Sequence, residues 1–239
     1  TMRDVSGKPG CGFERFGLLT SEDGIKFERC KANPLIEPDE KFYRGASLYP
    51  ACKRIDCRDI CPLRLDDGTA LAYFAVRSKD ELLSDNSVIG LMRSKDLLHW
   101  EQLPPAFAPK RFGTVEVPEA FELGGAWHLL GYTSNGHGSR GVFSDPCVAM
   151  GTVYALAESP YGPFQMLPDD NVLFGDNKAS AGSCRTVCWK GKRYAFIVEC
   201  DPLHGVSLSL PFLLSHLDGG RLRAKRSEAM DLLRKEHLL

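Results

Sequence analysis

The chain lacks a surplus of charge of either sign. Its 239 residues carry 30 Lys and Arg against 31 Asp and Glu, a formal net charge of −1. Binding to nucleic-acid phosphates ordinarily needs a basic surplus, so nucleic acid is not expected as a partner. The one local basic run, Arg221, Arg223, Lys225 and Arg226, reads as a solvated strand end and helix start. No apolar run approaches the ~18 residues of a membrane-spanning helix, so no membrane partner is expected. No signal peptide is legible, and the start at Thr1-Met2 reads as if an upstream segment were missing. G-x-G-x-x-G and P-loop motifs are absent, which excludes nucleotide cradles of those kinds. The nine cysteines, Cys11, Cys30, Cys52, Cys57, Cys61, Cys147, Cys184, Cys188 and Cys200, are odd in number and form no C-x-x-C pair. That spacing excludes a disulfide scaffold and a structural zinc site, and no metal is expected. The cysteines read as mostly buried small hydrophobes in a reducing compartment, hence a cytoplasmic protein. Helical periodicity is scarce as well. Only residues 227–239 predict a short C-terminal amphipathic helix, with Ser227 as its N-cap.

What the chain does have is repetition. T-S-E-D-G-I-K-F starts at 20, R-S-K-D-L-L-H-W at 93 and A-E-S-P-Y-G-P-F at 157. Each reads as a strand end, a Ser-containing turn and an aromatic (Phe27, Trp100, Phe164), followed by a Pro-containing stretch. A second motif lies between the copies. R-D-I-C-P-L-R-L-D-D-G-T-A-L-A-Y-F-A starts at 58, V-P-E-A-F-E-L-G-G-A-W-H-L-L-G-Y at 117 and C-R-T-V-C-W-K-G-K-R-Y-A-F-I-V at 184. Each predicts strand, tight turn, strand, with Asp67-Gly68, Gly124-Gly125 and Lys190-Gly191 at the turns.

Several strands in units of about 65 residues suggest propeller blades. The expectation is an all-β fold, one β-propeller domain over 1–239, with blades beginning near 58, 117 and 184. Only 19 residues precede the first Ser turn, so the first blade is expected to be incomplete. A two-sheet sandwich would explain the hairpins but not the recurrence of both motifs in one order. Trp127 and Trp189 fall inside hairpin strands and are expected in the core.

Asp59 starts the strand of one second-motif copy, and Glu116 occupies the equivalent place one copy later. Inner propeller strands line the central channel, so the two acids would converge from neighbouring blades. Two carboxylates around one sugar are what glycoside hydrolysis needs. Arg58 could hold Asp59 ionised and donate to sugar hydroxyls. Taken singly, an Arg-Asp pair is a local salt bridge and a Glu before Val-Pro a surface residue. Their matched places in consecutive repeats give the functional reading its weight. His137, on the loop S-N-G-H-G-S-R, and Arg185, opening the next inner strand, are further candidates for the cleft wall.

These segments resemble the five-bladed β-propeller glycoside hydrolases, above all family 32, the β-fructosidases. C-R-D-I-C-P is similar to that family's Arg-Asp-Pro motif, and V-E-V-P-E-A-F-E-L-G-G-A-W-H-L-L to its Glu-Cys-Pro motif. The segment from Leu208 to Arg234 is similar to its last-blade segment, and the likeness runs from about Gly17 onward. The resemblance implies a five-bladed propeller that hydrolyses β-fructosides, of sucrose or fructan type, with retention. It makes Asp59 the transition-state stabiliser, Arg58 a sugar-hydroxyl ligand and Glu116 the general acid/base. The substrate would be a carbohydrate, and no cofactor is needed.

The chain also departs from the pattern. Ile60 stands where the family has proline, Val117 where it has cysteine, and no C-terminal β-sandwich follows before Leu239. The family's nucleophile lies in Trp-Met-Asn-Asp-Pro-Asn-Gly. The nearest text here, T-M-R-D-V-S-G at 1–7, puts Asp4 in that place, with 15 residues before the first Ser turn, too few for two strands. Two other functions fit the same architecture: an inverting or phosphorolytic enzyme on arabinosides or mannosides, and a catalytically incomplete sugar-binding propeller. The sequence sets no oligomeric state.

Overall fold

The computed structural model describes residues 1–4, 12–48, 54–79, 85–137, 139, 150–168, 171–176, 182–201 and 205–226. Residues 227–239, expected to be helical, lie outside that set. The chain divides into two compact units, Thr1–Pro118 and Glu119–Leu239.

In the first unit a small sheet joins Met2–Asp4, Gly12–Arg15 and Arg54–Ile55, the last pair parallel. A short ribbon pairs Leu19–Thr20 with Glu28–Arg29. Next comes a four-stranded antiparallel meander of Cys57–Arg64, Ala70–Arg77, Ser87–Ser94 and Glu101–Phe107. The strand Ala70–Arg77 reads A-L-A-Y-F-A-V-R and is buried at every position. An internal strand covered on both faces has no solvent side, so its sequence is near-continuously apolar rather than alternating. Phe74 lies at its centre, met edge-on by Phe16 at 5.7 Å and Tyr43 at 5.4 Å between ring centroids. Tyr43 is fully buried, so its hydroxyl needs partners. It donates to the Leu103 carbonyl and accepts the Leu91 N–H at 3.1 Å.

Glu116–Leu123 starts at the end of the first unit and opens the next meander, continued by Ala126–Ser134, Met150–Ala157 and Val172–Asp176. The last sheet of the second unit orders Cys184–Trp189, Lys192–Asp201, Phe212–Leu217 and Arg221–Arg226, with Gly205–Leu208 also paired to Lys192–Asp201. The core of the second unit includes Phe121, Leu130, Tyr154, Ile197, Leu214 and Leu222.

The expected hairpins form. Gly124-Gly125 (φ 65° and 78°) and Lys190-Gly191 (φ 48° and 72°) are left-handed at both turn residues, as a type I′ connection requires. The Asp67-Gly68 turn is wider. Leu65 and Thr69 close it, and the Asp67 carboxylate accepts the Thr69 N–H at 2.8 Å.

The Ser turns recur in atomic detail. Ser21 Oγ accepts the Gly24 N–H, and Asp23 accepts those of Ile25 and Lys26. Seventy-three positions later, Ser94 Oγ accepts the Leu97 N–H, and Asp96 accepts those of Leu98 and His99. The third copy keeps only the Ser159 part, which holds Tyr161. The residue three after each Ser is left-handed: Gly24 at φ 72°, Leu97 at 66° and Gly162 at 77°.

Two expectations need correction. Trp189 is 58% exposed and Trp127 half-buried. A period-two pattern fixes which residues share a face, not whether that face is covered. Of the five cysteines whose side chains are described, Cys57 and Cys184 are buried, Cys30 and Cys61 half-buried and Cys188 exposed. In the strand Arg221–Arg226, by contrast, Arg223, Lys225 and Arg226 are solvated as expected. Among the described residues no helix is long and apolar enough to cross a membrane.

The left-handed Leu97 is the weak copy of the Ser turn. A non-glycine side chain costs about 1–2 kcal/mol there, and glycine gives back about 0.5–1 kcal/mol in unfolded-state entropy. Leu97→Gly is therefore expected to stabilise the chain by about 0.5 kcal/mol, and Gly24→Leu to destabilise it, both read from urea midpoints. A lower midpoint for Leu97→Gly would contradict this account.

Candidate active site

The site begins with two kinks. Along Cys57–Arg64 the register runs Arg58 opposite Ala75, then Cys61 opposite Tyr73. Asp59 and Ile60 thus face Phe74 together, a β-bulge, and Asp59 is left-handed at φ 57°. The next sheet opens with a second such kink, at Val117, φ 54°, directly after Glu116. A left-handed non-glycine residue carries strain of about 1–3 kcal/mol and persists only where its surroundings impose it. By their kinks, Asp59 corresponds to Val117 and Arg58 to Glu116. That is one residue off the equivalence read from the sequence, because a bulge leaves no trace in apolar alternation.

The kinks bring Arg58, Asp59 and Glu116 together. Arg58 Nε and Nη2 donate to Glu116 Oε2 at 3.2 and 3.1 Å. Its Nη1 donates to Glu14 Oε2 at 2.9 Å and Asp56 Oδ1 at 2.6 Å. Asp59 Oδ2 lies 3.8 Å from Nε. Burial works against the Arg58 charge, but Asp56 and Glu14 outweigh it and raise its pKa above the ordinary arginine value. Burial also raises the Asp59 pKa, with Glu116 adding to the rise; the Val117 N–H, donating to Asp59 Oδ2 at 3.2 Å, opposes it.

Exposure separates the four acids. The side chains of Asp59 and Glu116 are 28% and 19% exposed, those of Glu14 and Asp56 9% and 4%. Only the first two present carboxylate surface that a ligand could meet. Glu14 and Asp56 are the members that sequence reasoning missed. Asp56 stands two residues before Arg58, a period-two spacing that could have flagged it; Glu14, in G-F-E-R, carries no signal.

Asp59 also belongs to a structural series. Glu14 accepts the Cys57 N–H at 3.3 Å, Asp59 the Val117 N–H at 3.2 Å and Glu119 the Thr186 N–H at 2.8 Å. Each time, a carboxylate of one sheet holds an amide at the start of a later sheet's first strand.

The remaining candidates fall on other elements. Asp4 ends the strand Met2–Asp4 and pairs with Phe13; its side chain lies outside the described residues. His137 closes the 3-10 turn Asn135–His137, and its side chain is likewise outside them. Arg185 is exposed on Cys184–Trp189, opposite Phe196. The last two belong to the second unit. Among the described residues no three His, Cys, Asp or Glu side chains are grouped to hold a metal ion.

No protein-family model matches the chain, and no curated protein matches it by sequence. Solved structures do match. The GH32 β-fructofuranosidase of Bombyx mori, as a point mutant in complex with sucrose, superposes with a TM-score of 0.68 at 20% identity, covering 97% of this chain and 48% of that one. Bacillus subtilis levansucrase gives 0.69 at 12% identity, covering 93% of this chain and 63% of that one. The inulosucrase of Halalkalicoccus jeotgali, bound to kestose, gives 0.66 at 15% identity, over 88% and 60%. The chain therefore spans about half the length of the Bombyx enzyme and under two thirds of the other two. It has the β-propeller fold of these fructosidase-type enzymes. The resemblance read from the sequence is borne out at the level of fold.

The raised Asp59 pKa carries a stability consequence. A carboxyl with a higher pKa folded than unfolded binds its proton more tightly in the fold. Stability then falls as pH rises through that window, and the ionised form is a liability above it. Asp59→Asn keeps an oxygen for the Val117 N–H and removes the charge. It is expected to be more stable than wild type at pH 7, with the advantage vanishing as pH falls below the unperturbed carboxyl value of 3.8. Urea unfolding at several pH values measures this. A wild type at least as stable as the variant at pH 7 would show that Arg58, not burial, governs Asp59.

Proposed function

We propose that this chain is a propeller glycoside hydrolase that cleaves β-fructosides of the sucrose or fructan type with retention. One observation carries the reading. The two most exposed acids of the cluster, Asp59 and Glu116, are gathered by a single arginine in a fold whose known members include enzymes solved with sucrose and with kestose. In this reading Glu116 protonates the leaving-group oxygen and later deprotonates the attacking water. Asp59, ionised, faces the positive charge that develops on the sugar ring. Its raised pKa would set the acid limit of activity, since protonation removes that charge. Arg58 would exchange its contact with Glu116 for sugar hydroxyls. Asp4 is the candidate nucleophile, and His137 and Arg185 are further candidates to touch the sugar.

Arg58 and Arg77 stand against Glu14, Asp56, Asp59 and Glu116, so the cluster has more acids than bases. That balance favours a neutral sugar over a phosphorylated one. The chemistry asks for no cofactor. The odd cysteine count and its lack of a C-x-x-C pair support a reducing, cytoplasmic setting.

A second reading has its own support. Glu14 and Glu119 make the same carboxylate-to-amide tie as Asp59 and are nearly buried. Asp59 could then be a staple in a sugar-binding propeller without turnover.

Sucrose, kestose, inulin and levan incubated with the purified protein decide between the two. Hydrolysis is expected to release fructose, and Glu116→Gln to lower the rate by about 10²–10⁴-fold. The first-formed anomer, read by NMR, is expected to be retained. An inverted product would move the chain to the arabinoside or mannoside enzymes. No release from any of the four, with sugar binding intact in Glu116→Gln, would leave the binding reading.

A further inference from the structure

The segment that delivers Glu116 has almost no ladder of its own. Between Phe112, which makes one bridge to Asn86, and the strand beginning at Glu116, the backbone of residues 113–115 is irregular. It is nevertheless buried, with Thr114 8% and Val115 0% exposed. Buried backbone groups outside a ladder need partners from side chains.

Those partners come from two strands of the preceding sheet. Arg77 Nη1 donates to the Gly113 carbonyl at 2.9 Å and to Asn86 Oδ1 at 2.8 Å. Its Nη2 donates to Thr114 Oγ1 at 3.3 Å. Ser87 Oγ accepts the Val115 N–H at 2.9 Å and lies 3.4 Å from the Val115 carbonyl. Arg58 then takes Glu116, and Asp59 the Val117 amide. Five consecutive residues, 113 to 117, are thus each gripped by a polar group. Arg77 is fixed in turn by Asp56 at its Nε, and Asp56 also holds Arg58. Arg77, Ser87 and Asn86 are 8%, 3% and 0% exposed, so none can serve a ligand directly.

We propose that Asp56, Arg77 and Ser87 are positioning residues: a buried clasp that fixes the backbone of residues 113–117 and so sets where the Glu116 carboxylate stands. This rests on the reading of Glu116 as the acid/base. The clasp explains how a left-handed Val117 is sustained, because Val117 and the four residues before it are tied to the same sheet. It also explains why one buried acid, Asp56, holds two arginines. Arg58 sets the carboxylate and Arg77 the backbone behind it, and Asp56 fixes the two relative to each other.

Ser87→Ala, Thr114→Val and Thr114→Ser test this in the full chain, with two readouts. The first is amide hydrogen exchange. Ser87→Ala is expected to speed exchange across residues 113–117 by about tenfold or more, with Ala70–Arg77 as protected as in wild type. The second is turnover of the fructoside. Ser87→Ala and Thr114→Val are expected to lower kcat by ~10-fold with little change in KM, because displacement of a catalytic group by well under an ångström is enough. Thr114→Ser, which keeps the hydroxyl, is expected to behave as wild type. Unchanged exchange over residues 113–117, or an equal acceleration over Ala70–Arg77, would overturn the clasp, since the first denies the grip and the second makes it ordinary packing. A wild type without turnover would instead overturn the hydrolase reading, and exchange alone would then decide the clasp.

Discussion

Arg58 is the charge on which the polar interior of the first unit depends. Glu14, Asp56 and Glu116 all direct oxygens at one guanidinium, with Asp59 slightly further out. Four acids this close repel one another and are poorly hydrated. Arg77 reaches only Asp56 among them, so removing Arg58 would leave buried carboxylates without a compensating charge, a change that costs about 3–5 kcal/mol in comparable settings. A lysine would not substitute, because only a planar fork reaches several acids from one point. Assembly of the cluster also couples parts of the chain that are distant in sequence: Glu14 from the first sheet, Arg58 from the second and Glu116 from the start of the third.

The same chemistry recurs as a fold device. Glu14, Asp59 and Glu119 each hold an amide among the first three residues of a later sheet's first strand. The first strand of a sheet has an unpaired edge at its start, and a carboxylate offers a strong, directional acceptor there. Two of the three are buried, Glu14 at 7% and Glu119 at 8% exposure, and each of these has further protein partners. Asp59 alone is left partly open, in a bulge that turns its backbone left-handed. Asp59 thus differs from the two glutamates in exposure and backbone, while all three offer a carboxylate to an amide.

How much of this was legible follows from the range of each signal. The hairpins were legible because two-residue turns announce themselves locally, as Gly124-Gly125 and Lys190-Gly191 do. The Ser turns were legible as a recurrence, although the left-handed residue after each was not, since Leu97 stands where Gly24 and Gly162 do. Arg58, Asp59 and Glu116 were found as motifs. Their true register was hidden, because the bulge at Asp59 and Ile60 shifts the equivalence by one residue. Glu14 and Arg77 could not have been found, because what marks them is a partner 44 and 36 residues away in sequence, respectively. Trp189 was misplaced because alternation does not say which face is covered.

Two of the strained residues of the first unit, Asp59 and Val117, fall where its buried charge is gathered, at residues 56–59 and 113–117, while Phe16, Tyr43, Phe74 and Met92 pack an apolar core that needs neither. A chain under selection for stability alone would replace a buried, unfavourably ionised Asp59 and relax a left-handed Val117 to glycine. Both persist here, gripped by Asp56, Arg58, Arg77 and Ser87, and such strain is held only where the surroundings impose it. The clasp makes the strain tolerable by giving each of residues 113–117 a polar partner, and in doing so it removes the freedom that would blur the position of Glu116. Rigidity there and flexibility elsewhere are separable in this fold, because the gripping side chains come from strands whose own ladders do not depend on the segment they hold.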